Sequence, residues 1–255
     1  MIAHRIAPSR WLALAAPLAL ALSACSGDAE GEDGEFSGEP IAAIPAPDGA
    51  EWIDTVSVTE DGGFKVGNPE APINLVEYAS HTCGACANFA QQAKETLKSK
   101  YIASGVVSFE QRELIRNFED LMIATMVQCG PKERMQPLSD IAWQEFDTVF
   151  GALQANAAAV QATDSLPNDQ KFAAAAEAAG LTEFFASRGL SADQAKSCLA
   201  DTEKVRKIAE TSDQQAEKFS ISGTPTFLIN GKRVEAGSWA DLEPILLSAG
   251  ARDEE

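Results

Sequence analysis

Cys83-Gly84-Ala85-Cys86 sets two thiols three residues apart, just after an apolar run and at the start of a helix-period pattern. A helix N-terminus carries about half a positive charge and unpaired backbone N–H groups. A thiolate at Cys83 is stabilised there, so its pKa falls and its reactivity rises. The spacing puts Cys86 on the same helix face, where the two sulfurs can close a disulfide with little strain. Cys83, at the tip, reads as the nucleophile of a mixed disulfide, and Cys86, one turn inside, as the thiol that resolves it. Two bland readings compete: half of a zinc site, or a purely structural disulfide. Zinc needs two further ligands, usually as a second pair. Here Cys129 and Cys198 are single and far apart, and the chain has only His4 and His81. No metal is expected, and no other cofactor.

Two other places carry chemistry. Glu77 lies six residues before Cys83 within the run Ile73–Ala79. Side chains alternate along a strand, so Leu75, Glu77 and Ala79 share a face. If that face is buried, the carboxyl has a raised pKa and can pass a proton to or from Cys86. If it is solvated, Glu77 is an ordinary surface acid. The second place is Gly223-Thr224-Pro225-Thr226. Only about 5–6% of X–Pro bonds are cis, so local physics alone reads Thr224–Pro225 as a trans turn.

The elements that must position these residues follow from the pattern. Val56–Thr59 and Phe64–Val66 flank Asp61-Gly62-Gly63 as a short hairpin. Ile73–Ala79 reads as a buried strand. From Gly84 a helix runs with Cys86, Phe89, Ala90, Ala93, Leu97 and Tyr101 on one stripe, and Gly105 ends it. Val106–Phe109 is the next strand. Residues 117–200 read as helices broken at Gly130-Pro131, Pro137, Pro167, Gly180 and Gly189. A helix over Asp201–Phe219 leads to strand Thr226–Ile229, the Asn230-Gly231 turn, a return strand through Val234, and a last helix from Ser238 or Asp241. The order predicts an α/β core interrupted by an all-helical insertion.

The N-terminus reads as an address. Arg5 and Arg10 precede the apolar run Trp11–Leu22, too short to span a bilayer comfortably but right for a secretory signal. It ends in Leu22-Ser23-Ala24-Cys25, which resembles a bacterial lipobox, with Cys25 lipidated after cleavage. An ordinary signal peptide with Cys25 incidental is the alternative. Cleavage leaves His81 as the sole histidine and a chain near −20, from −18 in the full sequence. The protein then works where disulfides persist, and Ser26 after the lipidated position implies outer-membrane sorting. Residues 25–50 read as an acidic flexible tether, reaching roughly 25–30 Å. With 38 Asp and Glu against 20 Lys and Arg, a generally basic nucleic-acid-binding surface is excluded. An apolar share of 45% excludes wholesale disorder.

Strand, CxxC at a helix start, helical insertion, then Thr-Pro before a hairpin resembles the DsbA-like disulfide oxidoreductases of the thioredoxin fold. The segment Gly67-Asn68-Pro69-Glu70-Ala71-Pro72-Ile73-Asn74-Leu75-Val76-Glu77-Tyr78 resembles the family's lead-in to the CxxC. The likeness runs from about Val66 to Leu247. It implies a thioredoxin-like domain in two pieces, 51–116 and 201–255, around a helical insertion at 117–200; the signal peptide read from the N-terminal residues occupies 1–24. It implies a cis Thr224–Pro225 bond against the CxxC, a Thr224 backbone open to an extended substrate chain, and Glu77 as the buried acid. Strong oxidases of the family carry Pro-His between the cysteines, and this chain carries Gly84-Ala85, which leaves oxidising strength open. His81 reads as a packing or rim residue, or as a nearby charge. With Cys25 lipidated, Cys129 and Cys198 are an even remainder in an oxidising compartment, which suggests a bond; two free thiols or a second redox relay are the alternatives.

The leading expectation is a monomeric, lipid-anchored periplasmic oxidoreductase. It gives its disulfide to extended or unfolded exported proteins and is recycled by a membrane redox partner. An isomerase or reductase of the same fold is the nearest rival. A peptide-binding lipoprotein chaperone with structural cysteines is a reading of another class.

Overall fold

The computed structural model describes Met1 and residues 36–251. The signal segment, Cys25, the most acidic part of the leader and residues 252–255 lie outside the described residues. Six strands form one mixed sheet: β1 (Val56–Val58), β2 (Phe64–Val66), β3 (Ile73–Ala79), β4 (Val107–Glu113), β5 (Thr226–Ile229) and β6 (Lys232–Val234). Their spatial order is β1-β2-β4-β3-β5-β6. Among the described residues only β3 and β4 run parallel, joined by helix α1 (Gly84–Thr96), which continues over Leu97–Ile102 as a wider coil.

β3 is covered on both faces. Leu75 packs with Phe89, Leu97, Phe109, Phe227 and the last helix, while Val76 and Tyr78 pack with Leu114, Phe219 and Ile221. This decides between the two readings of Glu77: it sits on the α1 side of the sheet and is fully buried. β4 runs four residues past Phe109, although Glu110 and Arg112 are charged. They pair with each other at 2.7 Å, and Arg112 reaches Asp61 at 2.9 Å, so the buried charges are compensated and the ladder continues.

The insertion holds seven helices: α2 (Phe118–Val127), α3 (Met135–Gln144), α4 (Phe146–Ala155), α5 (Ala157–Ala162), α6 (Asn168–Ala178), α7 (Leu181–Ala186) and α8 (Ala192–Ala200). Asn117 caps α2, and Ser191 with Gln194 forms a capping box on α8. Met122, Met126, Leu138, Phe185 and Leu199 form its core, which also takes in Phe64 of β2 and so seats it on the sheet. Cys129 and Cys198 are disulfide-bonded, tying the end of α2 to α8. Helix α9 (Thr202–Lys218) returns the chain to β5, and α10 (Trp239–Ser248), capped by Ser238, completes the fold.

The leader differs from its reading as a tether over residues 25–50. From Phe36 onward it is a strap laid against the body. Gly38 N–H donates to the Ser248 carbonyl at 2.7 Å, Ile41 N–H to Gly250 at 2.9 Å, and Ile44 N–H to Ser104 at 2.8 Å. The run of closely spaced acids ends at Glu39, with Asp48 the one further acid before residue 50, and Phe36 and Ile41 find apolar surface in the cluster that holds Leu246. Burial there offsets the ordering entropy that the acidic part cannot recover.

Candidate active site

Cys83 is the N-cap of α1: the Cys86 N–H donates to its sulfur at 3.4 Å. On the other side its thiol donates to the Thr224 carbonyl at 3.3 Å. Thr224–Pro225 is a cis peptide, whereas local physics alone favours trans; the tertiary setting decides it. Both cysteines are free thiols in this structure. The Cys86 thiol and the N–H groups of Ala85 and Cys86 hold the Cys83 thiol down to about 5, against burial. Burial, with Cys83 and Glu77 adding to it, pushes the Cys86 thiol far above the ordinary range. Two thiols of one motif are therefore driven in opposite directions.

Glu77 lies beneath them. Burial pushes its carboxyl up to about 7; Lys94 pulls it back, and Asp140 and Cys83 add to the rise. The Lys94 Nζ stands 3.4 Å from Glu77 Oε2 and 3.5 Å from Asp140 Oδ1. It also lies 4.0 Å from the centre of the Phe109 ring.

The insertion closes the side of the site. Trp143, Ala79, Cys83, Cys86, Ala87 and Ala90 form one small cluster, with Phe146 packed against it. The Trp143 indole donates to the Ser80 carbonyl at 3.1 Å, and Gln91 donates to the Trp143 carbonyl at 3.0 Å. His81 is neither a rim residue nor simple packing. Its ring stacks on Trp143 at 4.8 Å, its Nδ1 is 3.3 Å from Glu113 and 3.9 Å from Asp120, and its Nε2 is 2.8 Å from Ser139 Oγ. Burial opposes its charge, but Glu113 and Asp120 outweigh burial and raise its pKa. Burial in turn lifts Asp120 to about 6.

The structure thus gathers Cys83, Cys86, Glu77, Thr224 and Pro225 at one end of the sheet. Cys129 and Cys198 stand apart in the insertion. Lys94, Asp140 and Trp143 were not singled out from sequence. Lys94 had a signal: it lies four residues after Ala90 and three before Leu97, a cation on the buried stripe of α1. Asp140 and Trp143 had none, because nothing local aligns α3 with the CxxC.

A family model described as thioredoxin matches residues 59–247. A Rickettsia typhi protein named "Putative protein-disulfide oxidoreductase" is 25% identical over 177 residues, covering 69% of this chain and 57% of the relative. One of the same name from Rickettsia felis is 26% identical over 192 residues, covering 74% and 60%. The chain thus spans about three-fifths of the length of these curated relatives. A crystal structure described as a protein-disulfide isomerase from Novosphingobium aromaticivorans is 27% identical, with a TM-score of 0.68 over 72% of this chain and 95% of that one. The alpha-DsbA1 of Wolbachia pipientis, 22% identical with a TM-score of 0.52 over 68% and 76%, is a likeness of fold alone.

Proposed function

This chain belongs to the thioredoxin family and carries its fold with an all-helical insertion, and from that premise we propose that it is a thiol–disulfide oxidoreductase which forms disulfides in exported proteins. A substrate thiolate attacks the Cys83 sulfur of the Cys83–Cys86 disulfide. The S–S bond breaks, and Cys86 leaves with the electron pair. Its affinity for a proton is high, and Glu77, near half-protonated at neutral pH, supplies one. A second substrate thiolate attacks the substrate sulfur of the mixed disulfide. Cys83 then leaves as a thiolate, a good leaving group because its pKa is low. The substrate has lost two electrons and the enzyme holds them as a dithiol, which a membrane redox partner reoxidises. The half-buried Thr224 backbone beside Cys83 pairs with the extended substrate chain during the exchange.

The observation that carries this reading is geometric: the Cys83 sulfur caps α1, 3.4 Å from the Cys86 N–H and 3.3 Å from the carbonyl before the cis proline, while Cys86 is fully buried, an arrangement that lowers the first thiol's pKa and raises the second's. A stabilised thiolate favours the dithiol and makes the disulfide an oxidant. The test is oxidative refolding of a reduced substrate with the fragment beginning after Cys25. Wild type restores its disulfides, and Cys83→Ser does not. Equal refolding by both proteins sinks the reading and leaves peptide binding as the function.

A second reading, disulfide isomerisation, is favoured by the name of the Novosphingobium structure. Rescue of a scrambled-disulfide substrate by the reduced protein, faster than oxidation of a reduced one by the disulfide form, supports it. For location we propose a monomer lipid-anchored through Cys25 in the periplasm, sorted to the outer membrane. Support comes from Arg5, Arg10, the run Trp11–Leu22 and Leu22-Ser23-Ala24-Cys25. Incorporation of labelled palmitate that survives Cys25→Ala rules the anchor out.

A further inference from the structure

Lys94 is shared between two carboxylates that come from different parts of the fold. Glu77 is on the central strand β3 and Asp140 on α3 of the insertion. The two separations, 3.4 and 3.5 Å, are nearly equal. The Lys94 Nζ, both Glu77 oxygens and Asp140 Oδ1 are buried, and none makes a close hydrogen bond. An ammonium at such distances has settled on neither partner.

The two ends of this triad differ. A cavity of about 230 Å³ is lined by Lys94, Lys98 and Asp140 together with apolar residues such as Ile102 and Phe109, and Glu77 does not line it. At roughly 30 Å³ per water it has room for several waters. The Asp140 side chain keeps 29% exposure and Glu77 keeps none. The outer carboxyl group borders the cavity and is partly exposed, though its Oδ1 is buried, and the inner one faces the thiols.

We propose that Asp140 is a positioning residue of the redox site: by holding Lys94 away from Glu77, it lets the inserted domain set how firmly Glu77 keeps the proton exchanged with Cys86. This deepens the oxidoreductase reading and rests on it only for the catalytic consequence. The groups facing Glu77 are Lys94, Asp140, Cys83 and Cys86, and those facing Asp140 include Lys94, Lys98 and His81. Lys94 is their common member. Replacing Asp140 with a neutral amide removes a negative charge from the neighbourhood of Glu77 and frees Lys94 to close on it. Both changes favour the ionised Glu77 carboxyl.

The test is carbon-13 NMR titration of the Glu77 carboxyl in the reduced protein, assigned by its loss in Glu77→Gln. In Asp140→Asn the midpoint falls by about one pH unit or more; in Asp140→Glu it returns toward wild type. The pH profile for attack of glutathione on the oxidised protein moves in parallel. An Asp140 that only packs α3 against α1 lowers the unfolding temperature and leaves the midpoint in place; that result overturns the proposal. Asp140→Ala, with the same charge change and different packing, repeats the measurement if the amide variant folds poorly. A midpoint that shifts in a protein with no reversible disulfide couple supports the positioning and discards the oxidoreductase reading.

Discussion

The Cys83 sulfur and the Thr224 carbonyl oxygen lie 3.3 Å apart, though 141 residues separate them in the chain. The fold brings the nucleophile and the substrate-pairing backbone together by pairing β5 antiparallel to β3, with Thr226 opposite Tyr78. Thr224 then projects beyond the ladder toward the start of α1. A Cys83 thiol lowered from 9.0 to about 5 changes stability with pH in a definite sense. The folded dithiol gains as pH rises above 5, the gain is complete near 9, and it is lost as pH falls through 5. At pH 7 it amounts to about 2–3 kcal/mol relative to an ordinary thiol. We expect thiolate absorbance to titrate near pH 5, with Cys86 silent over the same range. The stability of the dithiol relative to the disulfide form should rise between pH 4 and pH 8 in urea melts. Parallel curves for the two forms contradict the assignment.

Glu77 has the opposite sign. Its carboxyl is raised from 4.5 to about 7, so the folded state binds more protons than the unfolded one in that window. Stability therefore falls as pH climbs from 4.5 to 7. Glu77→Gln removes this slope. Above pH 7 the variant should be more stable than wild type by up to about 3 kcal/mol, while its thiol exchange slows and loses its dependence on pH near 7. A stability slope unchanged by the substitution shows that Glu77 is not the titrating group.

Much of this site was legible because its parts are local. The CxxC, the apolar strand with its single acid and the helix stripe each carry a short-range signal, as does the Asn230-Gly231 turn. What was not legible depends on non-local contacts. His81 looked like packing because Glu113, Asp120 and Ser139, which surround it, lie on three other elements. Trp143 reaches Ser80 across 63 residues. The strap differs from the tether expected for a different reason: its composition is that of a solvated linker, and only the docked positions of Phe36, Ile41 and Ile44 reveal partners. Thr224–Pro225 shows the limit of base rates, since a cis bond chosen by tertiary packing leaves no local mark.

The strap makes its own prediction through Gly105. This residue has φ +74°, and a Cβ there meets the Ile44 carbonyl oxygen and the Trp52 Nε1, each at 2.4 Å. The same two atoms form the 2.7 Å hydrogen bond that pins the strap. Gly105→Ala should therefore release residues before Trp52, costing about 1–3 kcal/mol from backbone strain and the lost contacts. Limited proteolysis should then cut between Pro40 and Pro47, where wild type is protected. Equal protection in both proteins shows that the strap does not depend on this contact.

The disulfide between Cys129 and Cys198 offers a test of how independent the insertion is from the redox centre. It closes a loop with a sequence separation of 69 residues, for which the chain-entropy model gives about 4 kcal/mol as an upper value. The two residues pack in the insertion's own core, whereas Cys83 and Cys86 belong to the separate cluster around Trp143. Replacing both Cys129 and Cys198 with alanine should lower the unfolding free energy by about 2–4 kcal/mol. It should leave the Cys83 thiolate titration where it is. Coupling between the two pairs would appear as a displaced titration in the double variant. The route would run through α2, whose Asp120 accepts from the His81 backbone N–H at 2.7 Å. A displaced midpoint with Asp120 intact would mean that the insertion core, and not only the residues touching the CxxC, sets the acidity of the nucleophile.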